Sequence, residues 1–198
     1  CDQIYIDQHS QVVEIHRPDG KNDILQQIEH GALSIVAGYQ NLGRLYRGII
    51  ENNLRQYVHL GDAATMSDGR KYNPALKNGA LNATESGVLD DRLVFTENNP
   101  MRELTTARCL AASSRALKGF NDTLSVQCLN IARALYNSVN NNASPWIGTM
   151  KLGTAVELFL TTGEQAYRQD ILKYTTPEIL KRKEAIASIG QALNKIND

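Results

Sequence analysis

The chain has 198 residues, enough for one domain with a real core and short for ordinary tandem domains. Its 42% hydrophobic and 21% charged residues match a folded globular chain and exclude disorder. Twenty-one Lys plus Arg balance twenty-one Asp plus Glu, so no global field draws nucleic acid or anionic lipid, and no apolar run nears the roughly 20 residues of a membrane span.

Residues 1–10 lack a basic stretch followed by an apolar one, so no signal peptide is visible there. Pro18-Asp19-Gly20 signals a turn, and from Asp23 the spacing of Ile24, Leu25, Ile28, Leu33, Ile35 and Val36 predicts a long helix to about Gly43. Gly48 to Val58 is short and mixed. Gly61 to Leu89 carries four glycines and many Asn, Ser and Asp without periodicity, which predicts a long loop over about residues 59–90. Loops of that length are uncommon in compact domains and are often functional, so this one needs a purpose or a disordered state and is the first place to seek a site.

Beyond Pro100 the pattern is helical. Leu104, Ala107, Leu110, Ala111 and Leu117 form one apolar face that Gly119 ends. Asn121 or Asp122 caps a second helix that carries Leu124, Cys128, Leu129, Ile131, Ala132 and Leu135 toward a core. The hairpin recurs: Leu152, Val156, Leu158, Phe159 and Leu160, a turn at Thr161-Thr162-Gly163-Glu164, then a helix with Tyr167, Ile171 and Leu172. A last amphipathic segment runs from Pro177 to about Ile196, with Ile179, Leu180, Ile186, Ile189 and Leu193 on one side. The expected fold is all-α, a single domain over 1–198. An open solenoid and a closed α/α toroid both satisfy such hairpins. The two hairpins share only length and a Gly turn, and the long loop suits a cleft, so the toroid is favoured.

Cys1, Cys109 and Cys128 are an odd number without a C-x-x-C, so neither a disulfide framework nor a zinc knuckle is read from them, and Cys109 and Cys128 are expected as small buried residues. The sequons at Asn82, Asn121 and Asn142 recur by chance too often to carry weight.

Several stretches in order resemble the catalytic domain of glycoside hydrolase family 9, the cellulase family built on an α/α toroid of six helical hairpins. Arg17 to Gly31, with its Gln-Gln-Ile-Glu-His-Gly wording, resembles the start of a long helix in a bacterial branch of that family. Tyr57-Val58-His59-Leu60-Gly61-Asp62 stands where many members carry an aromatic-x-Gln-Val-Gly-Asp stretch near the cleft. Asn99 to Ala107 with Ala111 to Lys118 is similar to the family's alanine-rich helix, and Glu157 to Tyr167 to its Leu-Tyr-x-x-Thr-Gly-Asp-x-x-Tyr turn.

The resemblance implies part of a glycosidase acting on β-linked glucan or a related polysaccharide by inverting acid/base hydrolysis, exported to the periplasm or exterior. The family's Asp-Ala-Gly-Asp signature is absent, and its general acid, a Glu near the end of the domain, would lie beyond Asp198. The chain therefore reads as the middle of a barrel, incomplete and inactive alone, with no catalytic residue of its own. Where typical cellulases carry aromatic residues after the Gly-Asp and an Asp-Glu before the later helix, this chain has Ala63-Ala64-Thr65 and Met150-Lys151.

Residue by residue, the substrate-binding candidates are Tyr57, His59, Asp62 and Trp146. Gly61 permits a tight turn that aims Asp62 into a cleft, where a carboxylate accepts sugar hydroxyls, although a plain turn aspartate fits equally. Trp146, the sole tryptophan, follows Ser144-Pro145 at a helix start, where an indole either stacks on a pyranose face or staples the helix to its neighbour. Asp90-Asp91 is an adjacent acidic pair, but neighbouring side chains diverge, and inverting hydrolysis needs carboxyls roughly 6.5–9.5 Å apart across a ring. His59 and Asp62 make two metal ligands with no third or fourth at a recognisable spacing, and His30 reads as a polar helix edge, so no metal and no cofactor is expected.

The expected partner is an oligo- or polysaccharide, with neither nucleic acid nor membrane. Self-association is expected through the Ile179 to Leu193 stripe, which a cut barrel leaves without a covering helix. The rival reading is a non-catalytic helical-repeat scaffold that binds protein. Its mark is polar capping helices, whereas a barrel fragment exposes apolar faces on its first and last helices.

Overall fold

The computed structural model describes residues 4–7, 9, 12–15, 20–50, 62–65, 70–77, 79–88, 93–96, 98–140 and 144–196. The described residues are mostly helical. The helices are α1 (Asp23–Leu42), α2 (Pro100–Leu117), α3 (Asp122–Ser138), α4 (Pro145–Thr162), α5 (Gln165–Tyr174) and α6 (Lys183–Ile196), with a 3₁₀ turn at Ile179–Lys181.

Their ends follow from local chemistry. Asn22 caps α1 by accepting from the Ile24 and Leu25 amides, and Asn99 and Asn121 cap α2 and α3 in the same way. Pro100 and Pro145 occupy first helical positions, where the missing N–H costs nothing. Gly43 and Gly163 close α1 and α4 at φ 68° and 73°, donating back to the Tyr39 and Phe159 carbonyls.

Cross-helix contacts give each helix its direction. Thr154 Oγ1 donates to the Leu104 carbonyl (3.0 Å) and Thr161 Oγ1 to the Ala111 carbonyl (2.9 Å), the same 50-residue separation both times, so α2 and α4 run parallel. Gly148 lies against Ile179, Gly153 against Ser188, and Lys195 Nζ donates to the Leu160 carbonyl (3.0 Å), so the chain from the 3₁₀ turn through α6 runs parallel to α4. Arg133 pairs with Glu164, and the Tyr136 hydroxyl donates to Asp170 (2.8 Å), so α3 and α5 are parallel too. Asn121 donates to Glu29 (2.6 Å) beyond the end of α2, while Tyr39 lines one pocket with Arg102 near its start, so α1 opposes α2. The result is two layers in strict alternation: α2, α4 and α6 in one direction, α1, α3 and α5 in the other.

The core lies between these layers. α4 is the middle helix of its layer, and Lys151 to Phe159 are all buried, including a lysine and a glutamate. A helix apolar nearly all round is one surrounded by neighbours. Leu104, Ala107, Leu110, Ala111 and Leu117 on α2 and Leu124, Cys128, Ile131, Ala132 and Leu135 on α3 are buried, as the spacing predicts.

Four expectations change. Cys109 is exposed, because the buried face of α2 runs through 107, 110, 111 and 114 and turns 109 away. Leu172 is 58% exposed, on the solvent side of α5. The segment from Pro177 is not one helix: extended backbone at Arg182 (φ −97°, ψ 128°) separates the 3₁₀ turn from α6. Its apolar stripe divides accordingly, with Ile179 buried, Ile189 packed on the core, and Leu180, Ile186 and Leu193 exposed.

Short strands also appear. β1 (Ile4–Asp7) and β2 (Val12–Ile15) form an antiparallel hairpin. β3 (Tyr46–Ile50), β4 (Asp62–Thr65) and β7 (Leu93–Thr96) make an antiparallel sheet in the order β3-β7-β4, and β5 (Lys71–Tyr72) pairs with β6 (Glu85–Ser86) in parallel. The described part of the expected 59–90 loop is thus structured. Glu85 accepts from Asn73 and Asn82, Asn82 Oδ1 accepts from the Thr84 and Glu85 amides, and a Cβ at Gly87 would lie 2.1 Å from the Lys77 carbonyl oxygen.

Candidate functional site

Alternating layers sort the connections by end. The turns 118–121 and 163–164 are tight and share one end, whereas α1, α3 and α5 finish at the opposite end, where α2, α4 and α6 begin. Long connections held by a rigid helical frame are where binding groups concentrate. The positive ends of the α2, α4 and α6 dipoles point the same way.

Trp146 stands at this end, in the first turn of α4, and is 39% exposed. The Arg182 guanidinium carbon lies 5.0 Å from its ring centroid, a cation–π contact that ties the start of α4 to the break before α6. The backbone of Asp62 pairs with Thr96 on β7, just ahead of the Asn99 cap of α2, which places it at the same end. Tyr57, His59, Asp90 and Asp91 lie outside the described residues. His30 is exposed on α1, and among the described residues no group of three His, Cys, Asp or Glu could hold a metal ion.

A pocket of about 230 Å³ opens at this end between α1, the start of β3 and the first turns of α2. Arg102 and Thr106 of α2 line it together with Ser34 and Tyr39 of α1 and Tyr46 of β3. The Tyr46 ring is seated over Gly38, where a Cβ would lie 2.5 Å from its Cε1. These residues come from three separated segments with no shared motif, which is why sequence reading missed them.

Two charged clusters stiffen the frame. Glu157, nearly buried on α4, accepts from Arg115 (3.0 Å) with Arg108 at 3.9 Å, and Arg115 also donates to Thr161 (2.9 Å). On the opposite side of α4, Lys151 is 3% exposed; its Nζ donates to the Tyr136 carbonyl (2.5 Å) in the last turn of α3 and sits 4.0 Å from the Tyr136 ring centroid. A cation there satisfies a helix-end carbonyl and the helix dipole together. Burial lowers the Lys151 pKa, Asp170 opposes that shift, and Lys173 adds to it. Burial also raises the pKa of Tyr136, and the hydrogen bond to Asp170 raises it further. Lys151 thus stands where the resemblance would place an acidic pair, and it is turned inward between the layers.

Among the described residues no helix is long and apolar enough to cross a membrane. No protein-family model, curated protein or solved structure matches the chain.

Proposed function

We propose that this chain is part of the (α/α)6 toroid of a glycoside hydrolase of the family 9 kind, exported from the cell and acting on β-linked glucan or a related polysaccharide. The observation that carries this reading is the alternation of three parallel helices with three opposed ones, so that the ends of one set and the starts of the other meet at one end. That is the arrangement an α/α toroid needs to build a cleft from loops. Trp146 and the backbone position of Asp62 fall at that end. Exposed Ile24 and Leu33 on α1, and Ile186 and Leu193 on α6, lie on the outermost helices of the array, where a toroid would continue or a second copy would dock. In this reading Trp146 offers a sugar platform and the acid and base belong to other parts of the barrel.

The test is hydrolysis. The 198-residue chain is expected to release no reducing ends from β-glucans, while a polypeptide extended on both sides releases them with inversion at the anomeric carbon. Inverting catalysis needs one carboxyl to activate water and one to protonate the leaving oxygen, and losing either removes orders of magnitude in rate. An extended polypeptide that neither binds nor cleaves any glycan would favour the scaffold reading.

A further inference from the structure

Arg182 and Trp146 form a pair with a chemistry that neutral glucan does not require. The guanidinium carbon lies over the indole, 5.0 Å from the ring centroid, and this is the only contact its side chain makes with the described residues: no carboxylate, carbonyl or hydroxyl accepts a hydrogen bond from it. Contact with a ring uses the face of a guanidinium and leaves the N–H groups in its plane for another partner. Arg182 is only half-buried, and its neighbours Lys181 and Lys183 are exposed and form no ion pair. The pair is also held in place. A Cβ at Gly148 would lie 2.8 Å from Ile179 Cδ1, so the 3₁₀ turn is seated directly on the first turns of α4, and the extended backbone at Arg182 follows at once.

We propose that Arg182 is a specificity-determining residue that selects carboxylate-bearing saccharide at Trp146, with the sugar ring against the exposed part of the indole and its carboxylate on the guanidinium. The sugar part of this inference rests on the glycosidase reading; the charge part rests on Arg182 alone. Trp146 is 39% exposed with Arg182 in place, so ring surface remains for a sugar beside the cation. A planar guanidinium matches a planar carboxylate through two parallel N–H···O bonds, and one already held by an indole loses less freedom on forming them. Phosphate fits less well. From Glu178 to Glu184 three cations stand with two carboxylates, which leaves one positive charge for the ligand, and a singly charged carboxylate matches that where a phosphate dianion does not. No acidic residue stands in the first turn of α4 to repel it.

NMR titration tests this, because the sole tryptophan gives one indole N–H resonance that reports a ligand at Trp146. The probes are β-linked glucosyl-glucose, its glucuronosyl-glucose counterpart, acetate and inorganic phosphate. The acidic disaccharide is expected to move the resonance to saturation and to bind about tenfold or more tightly than the neutral one, as one charge-assisted pair allows. Arg182→Gln should erase that preference and leave binding of the neutral disaccharide within about twofold. Arg182→Lys keeps the charge without the planar fork and should retain a preference of about threefold or less; if Arg182→Gln proves unfolded by circular dichroism, Arg182→Lys decides. Equal binding of the two disaccharides, binding of neither, tighter binding of phosphate or acetate, or a preference unchanged in the variant that decides would overturn the proposal. Failure here leaves the hydrolysis test on neutral β-glucans intact, and selective binding of the acidic disaccharide without any hydrolysis by the extended polypeptide would sink the glycosidase reading alone.

Discussion

Leu158→Ala is expected to destabilise the chain by about 2–5 kcal/mol, lowering the thermal midpoint by roughly 4–20 °C. Leu158 is fully buried about one turn before the end of α4, the helix enclosed by α2, α5 and α6. Truncation removes apolar contact and leaves a cavity that the flanking helices cannot close without moving two layers. Against a total stability of about 5–15 kcal/mol for an ordinary domain, this is a large share. Ile186→Ala, at a site 57% exposed on α6, is expected to change stability by about 0.5 kcal/mol or less. Thermal unfolding of the two variants followed by circular dichroism separates them. Equal midpoints would mean that α4 is not the centre of the array.

The second large effect is alkaline unfolding, and it comes from the interlayer cluster. Tyr136, Tyr167 and Tyr174 have pKa values raised from 10.0, mainly by burial, and burial pushes the Cys128 thiol up to about 11 from 9.0. Such groups keep their protons in the fold and release them in the unfolded chain. Their contribution is complete below the unfolded pKa and is lost as pH rises: through 9 to about 11 for the thiol, and from 10 upward for the tyrosines.

Lys151 works in the opposite sense. Its folded pKa is lowered from 10.5, so its contribution is present above 10.5 and is lost as pH falls through the folded value. Four raised groups outweigh one lowered group, so stability should fall above about pH 9. Tyr136→Phe gives up the hydrogen bond to Asp170, costing about 1–3 kcal/mol at neutral pH, and should flatten the fall above pH 10. Denaturant titrations of both proteins between pH 7 and 11 check this, and parallel curves above pH 10 would contradict it.

The helices were legible because their signals are local. Asn121 announces a start, Gly43, Gly119 and Gly163 announce ends, and apolar spacing selects the buried faces of α2 and α3, while the caps at Asn22 and Asn99 were found only in the structure. The strands were not, since β3, β4 and β7 are too short for a period of two to stand out and exist through pairing between distant segments. The break at Arg182 carries no Gly or Pro to mark it. Lys151 gave a signal in hindsight, one cation near the start of the apolar run that reaches Leu160.

At the site, Trp146 was legible as an aromatic residue after Ser144-Pro145. Its partner Arg182 was not, because their meeting depends on α4 and α6 lying side by side. Arg102 and Tyr46 meet at one pocket for the same kind of reason: the three elements that carry them and Tyr39 are joined by tertiary packing alone.

The proposed sugar-binding end is the one at which α2, α4 and α6 begin, and Trp146, in the first turn of α4, reports on it without labels. It is the sole tryptophan, so its emission is the tryptophan emission of the whole chain. Titrating the chain with β-linked gluco-oligosaccharide is expected to give a saturable change in that emission, with sorbitol at equal osmolality giving none, because a ring placed on or beside an indole displaces its water. An emission spectrum that stays flat up to about 10 mM oligosaccharide, where a site worth only about 3 kcal/mol would be half filled, would contradict the account.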